Sequence, residues 1–182
     1  MRNEIDKLLK EGIVEHSNSE WGCPVLIISK ANGSLRLVVN YRWVNQWTLP
    51  DPYPLSRIDD LIDAVGSAKY LTTLDCTKGY LAVPLDDDAI PLSGFVTPFG
   101  HFNFRRMPFG MRNSGCTYQR LMAKVLQDTH KFARFYLDDK IVFSISWTEH
   151  LEHLRIVFLR VRDAGIRLYE RKCEYGSATV IF

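Results

Sequence analysis

Residues 131–143, KFARFYLDDKIVF, contain the pattern on which the fold prediction rests. Two runs of strand-forming residues, 131–136 and 140–143, flank the polar pair Asp138 and Asp139, and this arrangement is typical of a β-hairpin. Adjacent carboxylates are unfavourable inside a protein, because the charges repel each other and lose hydration. We therefore expect the pair at an exposed hairpin tip or beside a bound cation.

A third carboxylate, Asp75, ends the run YLTTLD, in which Leu71 and Leu74 predict a buried strand. If that strand neighbours the hairpin, the three aspartates converge. Magnesium prefers oxygen ligands of this kind, and two such ions activate an attacking hydroxyl and stabilise a leaving phosphate in polymerases and nucleases. From spacing alone, a polar turn and an unrelated strand-end aspartate remain an equal alternative.

The rest of the chain alternates helical and strand patterns. Apolar residues at helical spacing, with Gly12 and Gly165 at two C-terminal ends, predict helices over 3–11, 56–65, 114–126 and 147–164. Strand-forming runs predict a hairpin around Asn32 and Gly33, and strands over 69–75, 80–85, 92–97 and 101–105. The proline-rich segment 48–58 predicts an extended connector. This order favours an α+β fold on a mainly antiparallel sheet.

Composition sets limits on the class of protein. The 182 residues are 46% hydrophobic with a formal net charge of +2, which indicates a packed domain but neither favours nor excludes a nucleic-acid partner. The four cysteines lack the C-x-x-C spacing of zinc or redox sites. No apolar run approaches the roughly 20 residues of a membrane helix. We expect a soluble intracellular protein without a membrane partner, with cytoplasm or nucleus undecided.

Several longer motifs follow one another in a fixed order: DPYPLSRIDDLI (51–62), LTTLDCTKGY (71–80), MPFGMRNSGCTYQRLM (107–122), YLDD (136–139) and HLEHLRIVFLRVRDAGIRL (150–168). Together they closely resemble the reverse transcriptase of gypsy-class LTR retrotransposons and, more distantly, of retroviruses. The resemblance covers almost the whole chain. It implies a right-hand polymerase fold, with an antiparallel palm sheet packed on helices.

The same resemblance implies boundaries and an activity. The fingers would span roughly 1–68 and 86–110 and the palm roughly 69–85 and 111–182, with the chain stopping before the primer grip and thumb. The implied enzyme is an RNA-directed DNA polymerase, a nucleotidyltransferase that adds deoxynucleotides to a primer 3′-hydroxyl. Its implied cofactor is a pair of Mg²⁺ ions, with Mn²⁺ as an alternative. Its implied partners are an RNA or DNA template with primer, deoxynucleoside triphosphates, and the thumb, connection and RNase H regions of a parent polyprotein.

Site residues follow from the matched motifs. The implied metal ligands are Asp75, Asp138, Asp139 and the backbone carbonyl of Cys76. Tyr80 matches an aromatic gate that excludes a ribose 2′-hydroxyl, although a tyrosine after a strand break is more often a core residue. The other implied substrate contacts are Lys30 and Arg36 on the triphosphate, Phe109 and Gly110 in the nucleotide pocket, and Lys172 as proton donor to pyrophosphate. For Lys30 the alternative is a solvated surface charge.

Some positions depart from the family pattern. Asn40 replaces an aspartate, Lys140 replaces an apolar residue after the aspartate pair, Arg112 and Gly115 alter the MPFG segment, and GYLAVPL lacks the usual His-Gln. An ammonium at Lys140 would oppose metal binding by pairing with the aspartates. These departures favour an alternative, a catalytically inactive retroelement remnant that keeps the fold and binds only nucleic acid or protein. A metal-dependent nuclease would leave Tyr80 and Arg36 without a role.

Two further expectations concern activity and the histidines. In the family, the regions beyond this chain hold primer and template, and contacts to phosphates supply most sequence-independent affinity for nucleic acid. We therefore expect little or no activity from these 182 residues alone. His150 and His153 alternate with acidic residues, but Leu151 and Leu154 indicate an amphipathic helix and no HExxH spacing is present. We interpret the histidines as structural.

Overall fold

The computed structural model describes residues 1–29, 35–54, 58–136 and 139–178. The helices are α1 Arg2–Lys10, α2 Arg42–Trp47, α3 Ile58–Val65, α4 Ser114–Val125 and α5 Trp147–Asp163. The strands are β1 Val14–His16, β2 Cys23–Ser29, β3 Leu35–Val39, β4 Tyr70–Asp75, β5 Phe95–Thr97, β6 Gly100–Phe104, β7 Ala133–Tyr136, β8 Asp139–Ser144 and β9 Glu174–Ser177. The predicted α+β class is confirmed. Among the described residues, no helix combines the length and apolarity needed to span a membrane.

The chain divides into two compact units that interleave along the sequence. The first comprises residues 1–51 and 80–114, and the second comprises 52–79 and 115–182. Each has its own sheet and its own apolar core. The boundaries assigned to fingers and palm remain a prediction.

The first unit is built on a five-stranded sheet in the order β1-β6-β5-β2-β3. Its pairings are antiparallel except for β2 with β5, which are parallel and align Cys23 with Phe95. Phe95 and Phe102 are almost fully buried, with ring centroids 5.7 Å apart. They lie in a core that also includes Ile5, Leu8, Val14, Val39, Tyr41, Val44 and Phe104. Burial of this aromatic and aliphatic surface is the main source of stability for the unit.

The second unit is built on an antiparallel four-stranded sheet in the order β7-β8-β4-β9. Successive residues of a strand point to opposite faces, so Leu71 of β4 and Phe143 of β8 share one face, where they pack against Leu61 of α3. On the opposite face, Thr72 of β4 hydrogen-bonds His150 of α5 at 2.8 Å. Both faces of the sheet are therefore packed against helices.

Helices α1 and α5 end as the sequence predicts. Gly12 and Gly165 have left-handed φ angles of 65° and 70°, a conformation that glycine adopts without a steric penalty. After α5, the Gly165 and Ile166 amides donate to the carbonyls of Arg162 and Val161 at 2.9 and 3.0 Å. This bonding satisfies carbonyl groups that the last helical turn would otherwise leave unpaired.

Some predicted elements are wrong or lie outside the described residues. The strand predicted over 80–85 is instead a 3₁₀ turn over Gly79–Ala82, in which Val83 donates back to Tyr80, followed by an isolated antiparallel bridge between Pro84 and Arg106. Helix α2 and strands β1 and β9 were not predicted, and the strand predicted over 92–97 begins only at Phe95, after a 3₁₀ turn over Pro91–Ser93. The turn at Asn32 and Gly33, and the start of the helix predicted from residue 56, lie outside the described residues.

Candidate active site

Asp75 of β4 lies directly opposite Asp139 of β8 in the antiparallel ladder of the second unit. Directly opposed residues of an antiparallel pair project from the same face of the sheet, so these carboxylates share one face at the end of β4. Asp139 is exposed, and 31% of the Asp75 side chain is accessible. The condition on which the aspartates converge, a pairing of the Asp75 strand with the hairpin, is therefore met. Asp138 lies outside the described residues.

A cationic side chain already lies on Asp75. The Nζ atom of Lys172 is 3.2 Å from the Asp75 Oδ2 atom. The segment that carries Lys172 is held along the end of β4, because the Tyr169 amide donates to the Asp75 carbonyl at 2.9 Å. An ammonium in this position shows that the carboxylate is open to a cation. Carboxylate oxygens are also the ligands that Mg²⁺ prefers, so these residues fit the predicted ion.

Cys76 continues β4 past Asp75 and forms an isolated antiparallel bridge with Leu168. The bonds of this bridge run from the Thr77 amide to the Arg167 carbonyl and from the Tyr169 amide to the Asp75 carbonyl. Neither bond uses the Cys76 carbonyl. The predicted role of that carbonyl as a metal ligand is compatible with the bridge and stays a prediction.

Lys140, the departure beside the aspartate pair, is a buried residue. It is 3% exposed, and its Nζ atom lies 5.2 Å from the ring centroid of Tyr118 in α4. Because neighbouring strand residues alternate between faces, the Lys140 side chain leaves β8 on the face opposite to that of Asp139. Its effect on metal binding stays a prediction.

Within the described residues, no group of three or more His, Cys, Asp or Glu side chains is arranged to hold a metal ion. The predicted set of three aspartates includes Asp138, which lies outside those residues. Metal binding by the set therefore stays a prediction.

In the first unit, the predicted gate residue Tyr80 is 8% exposed and packs against Phe109, with ring centroids 4.6 Å apart. Phe109 is 37% exposed. The next residue, Gly110, has a φ of 95°, a value that suits glycine. A Cβ atom there would lie 3.6 Å from the Tyr41 ring, so this turn approaches Tyr41 closely. The structure thus brings Tyr80, Phe109 and Gly110 together on adjacent segments.

Two triphosphate contacts, Lys30 and Arg36, were predicted near the turn at Asn32 and Gly33. Arg36 is a β3 residue paired with Ile28 of β2, but its side chain is outside the described part of the chain. Lys30 is outside it altogether. Both assignments stay predictions.

The sequence prediction missed two asparagines at the turn that carries Phe109 and Gly110. Asn45 of α2 donates through Nδ2 to the Gly110 carbonyl at 2.8 Å, and Asn113 donates to the Leu49 carbonyl at 2.8 Å. No periodicity marks these residues, because their partners are backbone groups 64 and 65 positions away along the chain. The only sequence signal is an uncharged amide beside a segment without regular structure.

His150 is fully buried and joins α5 to the sheet of the second unit. Its Nε2 atom lies 2.8 Å from Thr72 Oγ1 and its Nδ1 atom 3.0 Å from Ser144 Oγ, while Ser144 Oγ is also 2.8 Å from His153 Nδ1. Burial, and secondarily the charge of His153, lower the pKa of His150. These contacts agree with the structural interpretation of both histidines.

The family of the chain follows from comparison with known proteins. Residues 28–182 match the family described as "Reverse transcriptase (RNA-dependent DNA polymerase)". The chain belongs to the reverse transcriptase family. This reverse transcriptase domain is 37% identical, over 96% of its length, to the retrovirus-related Pol polyprotein from transposon 297 of Drosophila melanogaster. It is 33% identical, over 99% of its length, to the corresponding polyprotein from transposon gypsy.

The reverse transcriptase domain also superposes on solved structures. The native prototype foamy virus protease-reverse transcriptase matches 100% of this chain with a TM-score of 0.90 and 30% identity. The foamy viral protease-reverse transcriptase dRH in complex with double-stranded DNA matches 100% of it with a TM-score of 0.93 and 25% identity. These matches confirm the predicted polymerase fingers and palm fold, and the transposon relatives confirm the gypsy-class resemblance.

The domain is short relative to these proteins. It spans 17% of the transposon 297 polyprotein and 18% of the gypsy polyprotein. It covers 24% and 32% of the two foamy virus chains. The activity, substrates and partners of those longer proteins are therefore proposals for this chain.

Proposed function

We propose that this chain carries the polymerising centre of an RNA-directed DNA polymerase, which transfers deoxynucleotides to a primer 3′-hydroxyl on an RNA or DNA template. The single observation that carries the proposal is the opposition of Asp75 and Asp139 on one face of the β4–β8 ladder. Family membership over residues 28–182 supports the same reaction.

Asp75, Asp138, Asp139 and the Cys76 carbonyl would hold Mg²⁺, with Mn²⁺ as an alternative. Bound as a pair, such ions activate the attacking hydroxyl and stabilise the leaving oxygen. The carboxylates bring together negative charge that a cation offsets, which explains their place at an accessible strand end rather than in the core. Asp75 and Asp139 supply this charge from paired strands, so the sheet itself fixes their relative position.

The remaining roles concern the nucleotide. Lys172 would move from Asp75 to the leaving pyrophosphate and give it a proton, since Nζ reaches that carboxylate in the absence of substrate. Arg36 and Lys30 would neutralise the triphosphate by charge-assisted hydrogen bonds. Tyr80 would select deoxynucleotides by steric exclusion, and its packing on Phe109 supports this role because it leaves the ring little freedom to move aside. Gly110 would permit close approach of the backbone.

The proposal is tested by single-nucleotide incorporation on a primer-template. The 182-residue chain is assayed alone and after grafting in place of the homologous segment of the prototype foamy virus protease-reverse transcriptase. We expect weak or no extension by the chain alone and Mg²⁺-dependent extension by the graft. Asp75→Asn and Asp139→Asn should each reduce extension by the graft about a hundredfold or more.

A matched control and a second readout make the test specific. Asp163→Asn makes the same chemical change at an exposed carboxylate of the α5 C-terminus and should leave extension unchanged. Binding of Mn²⁺ to the chain alone, followed by electron paramagnetic resonance, should weaken about tenfold or more in Asp75→Asn. It should stay unchanged in Asp163→Asn. The proposal would be refuted if Asp75→Asn, Asp139→Asn and Asp163→Asn grafts all extended primers at the same rate.

An inactive remnant is the alternative. Lys140 motivates it, because an ammonium that paired with the aspartates would compete with metal ions for the carboxylates, although its side chain leaves β8 on the face opposite to Asp139 and lies over Tyr118. A folded but silent graft that gains extension on Lys140→Ile would identify this residue as the defect. A folded graft that stays silent with Lys140→Ile would establish the remnant.

A further inference from the structure

Asn45 uses both ends of its side-chain amide to hold the turn that follows β6. Its Nδ2 atom donates to the Gly110 carbonyl at 2.8 Å, and its Oδ1 atom accepts the Arg112 amide at 2.8 Å. The Arg112 guanidinium returns a bond of 3.2 Å to the Asn45 backbone carbonyl. An asparagine amide carries both a donor and an acceptor, so this side chain fixes two points of the turn at once.

Asn113 makes the reciprocal connection. From the turn, its Nδ2 atom donates to the Leu49 carbonyl at 2.8 Å, and its Oδ1 atom accepts the Asp51 amide at 3.0 Å. We call Asn45 and Asn113, with these backbone partners, the amide clamp. All of its members belong to the first unit.

The clamped turn carries Phe109 and Gly110. The turn packs against Tyr41. This residue is 2% exposed, and its hydroxyl donates to the Ser93 carbonyl at 2.9 Å. Gly110 lies against the Tyr41 ring. The turn thus contacts Tyr41 and is hydrogen-bonded by the amide clamp. In this arrangement the ring centroid of Phe109 lies 4.6 Å from that of Tyr80.

The segment that carries Tyr80 is tied to the same turn at its other end. The Met107 amide donates to the Val83 carbonyl at 2.8 Å, and the Val83 amide donates to the Tyr80 carbonyl at 3.1 Å. Backbone bonds therefore fix the start of the turn. Its residues 110–113 are held by the amide clamp, together with the bonds that Ser114 donates to the Pro108 and Met111 carbonyls at 3.0 and 3.2 Å. A change in the clamp should move Phe109 relative to Tyr80 without breaking the sheet.

We propose that Asn45, supported by Asn113, is a positioning residue for nucleotide selection. By fixing the turn that carries Phe109 against Tyr80, it determines how strongly the enzyme prefers a deoxynucleotide over a ribonucleotide. This inference rests on the proposed function, in which Tyr80 excludes the ribose 2′-hydroxyl. Asn45 acts through the turn and contacts no reacting atom. Its loss should therefore affect nucleotide affinity and sugar selection more than the rate of the chemical step.

The test uses the grafted enzyme and an isosteric substitution. Asn45→Asp keeps the acceptor for the Arg112 amide but removes the donor to Gly110 and places a carboxylate oxygen against its carbonyl. Gln46→Glu makes the same amide-to-carboxylate change at the next residue, which is exposed. Tyr80→Ala shows the full loss of sugar selection. Steady-state KM and kcat are measured for a matched deoxynucleotide and its ribonucleotide, and thermal melting monitors the fold.

For Asn45→Asp we expect KM for the deoxynucleotide to rise about three- to tenfold, the factor that corresponds to one net hydrogen bond. The preference for deoxynucleotide over ribonucleotide should fall by a similar factor, with kcat and the melting temperature little changed. Gln46→Glu should match the unmodified graft. Should Asn45→Asp fail to fold, Asn113→Asp breaks the other end of the clamp and is held to the same expectation.

The outcomes separate the two proposals. If the unmodified graft extends primers but Asn45→Asp retains the KM and the sugar preference of Gln46→Glu, the positioning role is wrong and the proposed function stands. A fall in kcat alone, with KM and sugar preference unchanged, also overturns the positioning role. If the unmodified graft is folded but extends no primer in the presence of Mg²⁺ or Mn²⁺, the proposed function fails, and this inference fails with it.

Discussion

The ammonium of Lys172 lies 3.2 Å from the carboxylate of Asp75, although 97 residues separate them in the chain. The contact joins the end of β4 to the 3₁₀ turn Glu170–Lys172. In the proposed enzyme, the same carboxylate binds a metal ion. Lys172 and the metal would therefore compete for Asp75, and each should weaken the binding of the other.

Replacement of Lys172 by alanine should strengthen metal binding. The pair is solvent-accessible, with 63% of the Lys172 side chain exposed, and such pairs contribute little free energy. We therefore expect Mn²⁺ affinity to rise only about two- to fivefold in Lys172→Ala, measured by electron paramagnetic resonance on the chain alone. Lys172→Arg, which keeps the charge, should stay close to the unmodified chain.

Lys69→Ala is the matched control for that experiment, because Lys69 is an exposed lysine at the opposite end of β4. It removes the same charge from the second unit without touching Asp75, and should leave affinity unchanged. An equal gain in Lys69→Ala and Lys172→Ala would mean that net charge, rather than direct competition, controls metal affinity.

The buried His150 should make the chain less stable in mild acid. Burial lowers its pKa from the ordinary value of 6.5, so the unfolded chain binds more protons than the folded chain as the pH falls through that value. The contribution of neutral His150 to the free energy of unfolding is complete above pH 6.5 and is lost progressively as the pH falls below that value. The urea midpoint of the chain should therefore fall between pH 7.5 and pH 5.5.

Two substitutions assign this pH dependence. His150→Gln should reduce the slope of stability against pH, and it should also lower stability at pH 7.5 by about 1–3 kcal/mol because Thr72 and Ser144 lose their buried partner. His130→Gln removes an exposed histidine of the same unit and should leave both quantities unchanged. A slope in His150→Gln equal to that of the unmodified chain would place the pH dependence elsewhere.

Gly94 should be intolerant of any side chain. Its φ of −55° is open to every residue, but a Cβ atom there would overlap the Trp21 carbonyl oxygen, a backbone atom. Gly94→Ala must therefore push β5 away from β2, where the Cys23 amide donates to the Gly94 carbonyl at 2.8 Å. We expect a loss of about 3 kcal/mol or more in urea denaturation.

Gly66→Ala provides the comparison, because its added Cβ atom would meet only the Asp63 carbonyl at 3.5 Å, an ordinary contact distance. That variant should differ from the unmodified chain by less than about 1 kcal/mol. Similar losses in the two variants would show that strand β5 relaxes around the added methyl group of Gly94→Ala.

The sequence by itself determined the local elements and the family. Helices α1 and α5 were predicted because their apolar spacing and terminal glycines act within one or two turns of chain. The β7–β8 hairpin was predicted because its two strand-forming runs and the polar pair between them are also neighbours in the sequence. Once β4 pairs with β8, a strand ending at Asp75 brings that residue to Asp139, and the ordered motifs identified the family.

Tertiary structure alone decided the contacts that join distant segments. The 3₁₀ turn at Gly79–Ala82 replaced a predicted strand because the burial of Tyr80 against Phe109 outweighs an alternating pattern. The pairing of Lys172 with Asp75, and the bonds of Asn45 to Gly110, depend on groups 97 and 65 residues apart. Local periodicity carries no information about such pairs, because their partners meet only when the chain packs.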